Sequence, residues 1–553
     1  AGVPVIPGSD VIPDSKGAGL DDAALAAAAS GIGFPVLLKP SAGGGGKGMR
    51  TVHSAAALPE AIAGARREAR SAFGVDTLLV ERLIPSPRHI EIQVLADGHG
   101  AAVHLGEREC SLQRRHQKIV EEAPSVLLDP ATRARMGAAA VDVAKAVGYT
   151  GAGTVEFLVS AAEPERFFFL EMNTRLQVEH PVTELITGLD LVELQLRVAA
   201  GEPLPLSQDD VRFDGHAVQA RIYAEDPARG FLPTGGRVLA VREPAGPGVR
   251  VDSGLVAGGT VGSDYDPMLA KLIAHGPDRD TALRRLDAAL AQTAVLGLGT
   301  NIAFLRALLA DTDVAAGRLD TGLVERQVQV RAELPVHVPA AGALFALLTL
   351  EPTGPVVDPF ALPGGWRIGE PAWSRWRMLA EGHEPVEVRV RGRARGAQIA
   401  VGAGAPVPAS AWWDGADLVV TLDGTTRRYA CAPDGAVLWL GREGHSWALR
   451  EQAPLEAARQ VEQGEGGPVR APMPGTVTVV DVAEGQQVSA GDRLLVVEAM
   501  KMEHELSAPV DGVVRDLRVR PGSPVERDAV LAVVEPAGAR AGHPVHERRT
   551  RRA

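Results

Sequence analysis

Apolar and polar residues follow two rhythms along this chain. Over residues 1–330 they alternate between strand-like and helix-like spacing. Residues 34–39 predict a strand, 42–48 a glycine loop and 49–52 a second strand, and 55–71 has helical composition. Residues 89–96 alternate: Ile90, Ile92 and Val94 share one face, and His89, Glu91 and Gln93 share the other. Residues 153–159 and 167–171 predict further strands, and 183–200 a helix after Pro181. The pattern is α+β. Residues 366–450 read instead as short strands. Two of them, 418–422 and 425–430, flank Asp423-Gly424, a pair that accepts the positive φ angles of a tight hairpin turn, so this segment predicts an all-β barrel or sandwich.

A third pattern is a repeat. Residues 471–498 align with 508–535 at a fixed offset of 37, pairing Gly475 with Gly512, Gly485 with Gly522, Val488 with Val525, Leu494 with Leu531 and Glu498 with Glu535. Each half is too small to bury a core alone, so the two are expected to pair into one β-sandwich. Between them lies Glu498-Ala499-Met500-Lys501-Met502, which puts Lys501 at the joining turn as a candidate for covalent attachment.

Composition adds boundaries. All seven tryptophans fall between Trp366 and Trp447, and the Pro-rich stretches 333–339 and 351–363 precede or open that region. The tryptophans read as barrel core, with a partner surface as the alternative. Residues 460–468 read as a flexible linker and 537–553 as a disordered basic tail. The expected domains are 1–84, 85–330, 331–459 and 469–536, consistent with 553 residues. A net charge of −12 argues against non-specific nucleic-acid binding. Cys110 and Cys431 are too few and too far apart for a disulfide framework, which suits a reducing, cytoplasmic compartment. The apolar run 339–350 is too short to span a bilayer, so no membrane association is expected. The chain opens with Ala1-Gly2-Val3-Pro4 and no signal-like segment, which reads as a processed or truncated product.

Three segments carry candidate chemistry. Residues 43–48 have GxGxxG spacing but lead into a strand, which describes a lid whose backbone amides can approach phosphates, with Lys39 as a nearby cation. In residues 171–180, strand alternation would place Glu171, Asn173, Arg175, Gln177 and Glu179 on one face. Such a set is costly to bury unless paired or ligand-bound, and oxygen donors there suit Mg²⁺, with Glu156 as a further carboxylate. Residues 114–118 gather four cationic or potentially cationic side chains, a local field that would attract an anion.

Residues 1–330 closely resemble the biotin carboxylase component of biotin-dependent carboxylases, an ATP-grasp enzyme. The matching runs are 39–49, 88–97, 107–124, 151–157, 171–184, 221–227 and 264–273. The repeat resembles a biotin-carrier domain, in which a lysine between two methionines carries biotin. The middle segment resembles, more weakly, the domain that docks the carboxyltransferase in acyl-CoA carboxylases, best at residues 358–373. The resemblance implies that Lys39, Gly45, Gly46, Glu81, Arg82, Leu83, Ile84, His89, Gln113 and His116 hold ATP. It implies Mg²⁺ or Mn²⁺ on Glu156, Glu171 and Asn173, and bicarbonate on Arg175, Gln177, Val178 and Lys118. Glu179 would be the general base, Arg221 would stabilise the biotin enolate, and Lys501 would carry biotin.

The partners implied are a carboxyltransferase β subunit on a separate chain, a biotin protein ligase and bicarbonate, in a hetero-oligomer. The expected activity is carboxylation of carrier-bound biotin within a 3-methylcrotonyl-, propionyl- or acetyl-CoA carboxylase. The family's Rossmann-like unit ahead of the glycine loop has no counterpart here, so a chain lacking the N-terminal subdomain is expected. The alternative is a biotin-accepting carrier and scaffold without carboxylase activity. A lipoyl domain at 468–535 is a third reading, disfavoured by the methionines beside Lys501.

Overall fold

The computed structural model describes residues 1–9, 20–42, 48–327, 333–352, 358–453, 467–499 and 502–536. Its first unit is a three-stranded antiparallel sheet, with Val36–Pro40 between Arg50–Val52 and Leu78–Arg82. Helices Asp22–Ile32 and Leu58–Phe73 cover it, burying Leu25, Ala29, Leu38, Ile62 and Val80 in one cluster. Asp21 starts the first helix by accepting a hydrogen bond from the Ala24 amide at 2.7 Å.

The second unit is an eight-stranded sheet in which each strand is antiparallel to its neighbours. Across it run Val249–Ser253, Met268–Gly276, His216–Tyr223, Gln117–Ala123, Ala102–Arg114, Pro87–Ala96, Gly151–Ser160 and Glu163–Asn173. The expected alternation of 89–96 holds on the apolar side. Ile90, Ile92 and Val94 are fully buried with Met136 and Ala140 of helix Pro130–Ala146. Helix Arg279–Gln292 buries Leu286 and Leu290 with the sheet residues Val218, Ala220 and Leu272.

Two local expectations change. The strand predicted to continue through Glu179 ends at Asn173, and residues 174–179 form a turn leading into helix His180–Thr187. Glu163–Asn173 is an edge strand. Beyond it, Leu176 packs into the cluster of Leu95, Leu105 and Leu191, which breaks the alternation. The helix predicted over 183–200 is two helices, His180–Thr187 and Leu191–Ala199. Gly188, at φ 71°, ends the first in the left-handed conformation, and Asp190 restarts the chain by capping the Glu193 amide at 2.8 Å.

The predicted β region is a closed eight-stranded barrel running from Ser374–Ala380 to His445–Glu451. Asp423 and Gly424 have φ of 48° and 76°, and Leu422 pairs with Thr425, as the hairpin reading required. The tryptophans do not fill its core. Helix His337–Leu350 does, burying Val338, Ala340, Ala341, Ala343, Leu344 and Leu347 against Trp376, Val388, Ile399 and Leu449. A helix enclosed over most of its length needs little polar face, which is why this segment reads as a nearly continuous apolar run. Trp376 is buried, whereas Trp366 is 71% exposed.

The repeat folds as two four-stranded sheets that share strands between halves. Gly475–Val480 and Arg493–Ala499 pair with Met502–Ser507 and Pro524–Val525. Gly512–Arg515 and Val530–Pro536 pair with Gly467–Arg470 and Gln487–Val488. Neither half completes a sheet alone. The core repeats at the same offset: Val477 with Val514, Leu494 with Leu531, Val497 with Val534. At Gly475 and Gly512 an added Cβ would lie 2.4 and 2.1 Å from the Glu498 and Glu535 carbonyl oxygens, so both halves need glycine there. Lys501 and Met500 lie outside the described residues, between strands whose ends pair Ala499 with Met502. The predicted linker core 460–466 and tail 537–553 also lie outside them.

Candidate functional site

Pairing across the large sheet assembles a polar row. Glu91 sits opposite Arg108 on one side and Glu156 on the other, and Glu156 sits opposite Glu171. Side chains alternate along each strand, so neighbouring residues serve the other face. Glu107 and Glu109, on either side of Arg108, pair with Arg133 at 2.7 Å and with Arg88 at 2.7 Å.

Lys118 lies at the centre. Its Nζ is 2.5 Å from Glu91 Oε2, 2.6 Å from Glu179 Oε1 and 3.3 Å from Glu156 Oε1. Arg221 donates through Nη2 to Glu179 Oε2 at 3.0 Å and through Nε to Glu121 Oε1 at 2.5 Å. The Glu179 carboxylate is therefore held between two cations. Gln177 Nε2 donates to Glu156 Oε1 at 3.0 Å. Lys271 Nζ donates to the Val178 carbonyl at 2.8 Å, fixing the turn from its far side.

The charges set one another's protonation. Burial pushes the Glu91 carboxyl up, but Lys118 and Arg108 outweigh it and hold the group at about 2. Burial acts likewise on Glu156, and His89 and Lys118 bring it to about 2. Burial alone would lower Lys118, yet the surrounding carboxylates raise it well above its ordinary value. Glu121 goes the other way, raised by burial against the pull of Arg221.

The predicted metal residues converge. Asn173 Nδ2 lies 3.0 Å from Glu156 Oε1 and 3.3 Å from Glu171 Oε1. His89 Nε2 is buried, 3.1 Å from Glu156 Oε2, without the alignment of a hydrogen bond. Two carboxylates and an amide oxygen are the hard donor set that Mg²⁺ or Mn²⁺ accepts. The residues fit a divalent cation bound with substrate phosphates.

Other predicted residues divide. Arg175 is exposed, with Nη2 3.3 Å from Asn173 Oδ1, at the rim of the same cluster. Gln113 is buried and pairs in register with Lys118. Lys39 binds Glu81 at 2.8 Å within the three-stranded sheet, beside Arg82, Leu83 and Ile84. Gly45 and Gly46 lie outside the described residues. The four cations of 114–118 do not act together. Arg115 and His116, with φ of 48° and 66°, form a hairpin tip. Arg114 folds back onto Glu225 at 3.2 Å and onto the Phe231 ring at 4.1 Å, and only Lys118 enters the polar row. A hairpin sends alternate side chains to opposite faces, which splits the apparent cluster.

Sequence reading gave no role to Arg108, Glu121 or Lys271. A signal was present for Arg108: a charge inside a long strand, flanked by Glu107 and Glu109 and by the apolar Leu105 and Cys110. Burial on both faces of that strand is what the local pattern could not supply.

Four family models match in succession. They are the carbamoyl-phosphate synthase L chain ATP-binding domain at residues 1–207 and the biotin carboxylase C-terminal domain at 219–326, followed by the methylcrotonyl-CoA carboxylase alpha-subunit BT domain at 335–454 and the biotin-requiring enzyme domain at 467–534. The mitochondrial methylcrotonoyl-CoA carboxylase subunit alpha of Rattus norvegicus is 39% identical over 555 residues, covering 97% of this chain and 76% of the relative. The propionyl-CoA carboxylase alpha chain of Ruegeria pomeroyi is 39% identical over 550 residues, covering 91% and 78%. Among solved structures, the biotin carboxylase domain of Hydrogenobacter thermophilus 2-oxoglutarate carboxylase, with MgADP, ADP and bicarbonate, is 44% identical. It covers 60% of this chain and 72% of that one at a TM-score of 0.56. A Campylobacter jejuni biotin carboxylase–β,γ-ATP complex is 44% identical, covering 59% and 71% at a TM-score of 0.55. The chain belongs to the α subunits of biotin-dependent acyl-CoA carboxylases.

Proposed function

We propose that this chain uses ATP and bicarbonate to carboxylate biotin carried on its own Lys501, as the α subunit of an acyl-CoA carboxylase acting on 3-methylcrotonyl-, propionyl- or acetyl-CoA. The observation that carries this reading is the Glu179 carboxylate fixed between Lys118 and Arg221, beside an oxygen-donor cluster suited to a divalent cation.

Phosphoryl transfer depends mainly on positioning and on stabilising charge. Glu156, Glu171 and Asn173 would hold Mg²⁺ or Mn²⁺, which when bound neutralises phosphate charge and aligns ATP. Lys39, Gly45, Gly46, Glu81, Arg82, Leu83, Ile84, His89, Gln113 and His116 would contact the nucleotide. Arg175, Gln177, the Val178 backbone and Lys118 would bind bicarbonate. Glu179 takes the bicarbonate proton as its oxygen attacks the γ-phosphorus, releasing ADP and leaving carboxyphosphate. That species breaks down to CO₂ and phosphate inside the pocket. Lys118 and Arg221, whose side chains are 12% and 11% exposed, retain their charge and stabilise the anions formed there. Biotin, when attached, would supply the ureido nitrogen that accepts CO₂, its N–H proton passing to the released phosphate.

The stretch that leads into the barrel supports a second part of the reading. Phe360, Trp366 and Ile368 are 85%, 71% and 96% exposed, and the Phe360 and Trp366 rings meet edge to face at 6.2 Å. Three large apolar side chains exposed within one short stretch suit a protein partner, which we assign as a carboxyltransferase β subunit in a hetero-oligomer. A biotin protein ligase would load Lys501. Among the described residues no helix is long and apolar enough to cross a membrane, and both cysteines are free, in keeping with a reducing, cytoplasmic setting. The domain limits 1–84, 85–330, 331–459 and 469–536 are proposed on the same grounds.

The test is ATP cleavage by the folded full chain with Mg²⁺, bicarbonate and free biotin. Cleavage that requires bicarbonate is expected. A folded chain that cleaves no ATP under these conditions would leave only the carrier and scaffold role.

A further inference from the structure

Arg108 uses every donor it has. Its side chain is fully buried, at 0% exposure. Nε donates to Glu91 Oε1 at 2.6 Å. Nη1 donates to Gln93 Oε1 at 2.6 Å and to Thr183 Oγ1 at 3.1 Å. Nη2 donates to Thr154 Oγ1 at 3.1 Å and to Gln177 Oε1 at 3.2 Å. A guanidinium has five N–H donors in a rigid fork, and here five acceptors from four segments meet them. Those segments are the strands Pro87–Ala96 and Gly151–Ser160, the turn 174–179 and the helix His180–Thr187.

Two of these bonds decide how neighbouring groups face the site. Gln177 has one oxygen and one NH₂. Arg108 engages the oxygen, so the NH₂ is left to meet Glu156 Oε1 at 3.0 Å. Glu91 has two oxygens. Arg108 engages Oε1, and Oε2 is left for Lys118 at 2.5 Å. Removing the guanidinium would free the Gln177 amide to turn over and let the Glu91 carboxylate rotate away from Lys118. The turn 174–179 lies outside the ladder of sheet hydrogen bonds. Its hold on the sheet floor therefore rests on side chains: Arg108 and Glu156 at Gln177, Lys118 and Arg221 at Glu179, Lys271 at the Val178 carbonyl, and the packing of Leu176.

We infer that Arg108 is a positioning residue for the bicarbonate step, a buried guanidinium that sets the Gln177 amide, the Glu91–Lys118 pair and the turn carrying Glu179. It touches none of the groups proposed to contact ATP other than through these intermediaries. This inference rests on the reading of the site given above for its kinetic part only.

The experiment compares the full chain with Arg108→Lys, Arg108→Met, Gln177→Ala and the Arg108→Lys/Gln177→Ala pair. Lysine keeps the charge but offers three donors from a single point, so it cannot reproduce the fork. Bicarbonate-dependent ATP cleavage by Arg108→Lys is expected to fall about 100-fold, the scale of a misplacement of about 1 Å, with the KM for ATP nearly unchanged and the loss in kcat and in the KM for bicarbonate. The double variant should lose little more than the worse single variant, because both changes break the same link. Hydrogen exchange gives a readout independent of activity. In both Arg108 variants the backbone of 174–183 should exchange faster, while the strand Pro87–Ala96 stays protected. If Arg108→Lys alters neither exchange nor turnover, or if its loss is spread evenly over KM for ATP, KM for bicarbonate and melting temperature, the positioning role is overturned. An inactive parent chain whose Arg108 variants still loosen 174–183 would overturn the proposed activity and leave the positioning role standing. Should Arg108→Met fail to fold, the lysine variant and the Gln177 cycle decide.

Discussion

The large sheet and the barrel are both eight-stranded and antiparallel, yet their interiors are filled by opposite means. The barrel closes on itself and encloses helix His337–Leu350, an interior of alanine, leucine and valine. The large sheet stays open and carries Glu91, Arg108, Lys118, Glu121, Glu156 and Arg221 together in one largely buried row, which Glu179 joins from the adjoining turn. Apolar burial is favourable wherever it occurs, whereas buried charge is tolerated only where each group is paired. The sheet thus accepts a costly interior that can bind anions and move a proton. The barrel accepts a cheap one that presents a firm outer surface. The lattice is also self-consistent: removing one member strands the others, while removing one barrel side chain leaves a void.

The largest effect should follow from breaking the lattice. Glu91→Leu leaves Lys118 and Arg108 without their shared partner, and loss of one member of a buried ion pair costs about 3–5 kcal/mol. Urea denaturation should register that loss in the transition of the sheet region, and bicarbonate-dependent ATP cleavage should vanish with it. A stability change below about 1 kcal/mol, the level of an exposed ion pair, would show that water screens the row.

The matching change in the barrel is Leu344→Ala, at a fully buried position of the enclosed helix. A cavity there should cost about 3 kcal/mol, within the range for leucine-to-alanine changes in packed cores. Calorimetry should show the barrel transition lowered, with ATP cleavage by the same protein unaltered. Loss of cleavage would mean that the two interiors are not independent.

The same contrast explains what could be read in advance. The carrier repeat was legible because its 37-residue offset relates residues that do equivalent work, such as Gly475 and Gly512. The hairpin at Asp423-Gly424 was legible because the turn is local. Part of the candidate site lay within motifs that the fold brings together: Lys118, Glu156, Asn173, Gln177, Glu179 and Arg221 are linked by direct contacts. Three things were not legible. The strand extrapolated through Glu179 ends at Asn173 because Leu176 is drawn into an apolar cluster formed by distant residues. The apolar run 339–350 was read only as too short to span a bilayer, because nothing in it shows that a barrel assembled from residues after 373 surrounds it. Arg108 became important only because Thr154, Gln177 and Thr183, up to 75 positions away, converge on it.

Acid should separate the two interiors with the smallest and most selective effect. In the barrel, His337 accepts or donates a 2.7 Å hydrogen bond at Nδ1 with Tyr429 Oη and faces Arg427, Arg442, Glu443 and His445. Burial, followed by Arg427 and Arg442, lowers it from 6.5 to about 4. The unfolded chain therefore binds this proton more readily, and stability rises with pH across that window. The contribution is complete above 6.5 and is lost as pH falls toward about 4. Glu91 and Glu156 in the sheet drop from 4.5 to about 2, so their contribution is complete above 4.5 and is lost only as pH falls toward about 2, with the raised Glu121 offsetting part of it. The barrel should thus loosen first. Tryptophan fluorescence reads it selectively, since all seven tryptophans lie between 366 and 447 and Trp447 packs against both His337 and His445. A fluorescence change between pH 6.5 and 4 is expected while the sheet's amide protection persists, and His337→Gln should diminish it. Simultaneous loss of both signals below pH 4 would mean that the barrel has no weakness of its own to acid, and that the lattice of charges sets the acid limit for the whole chain.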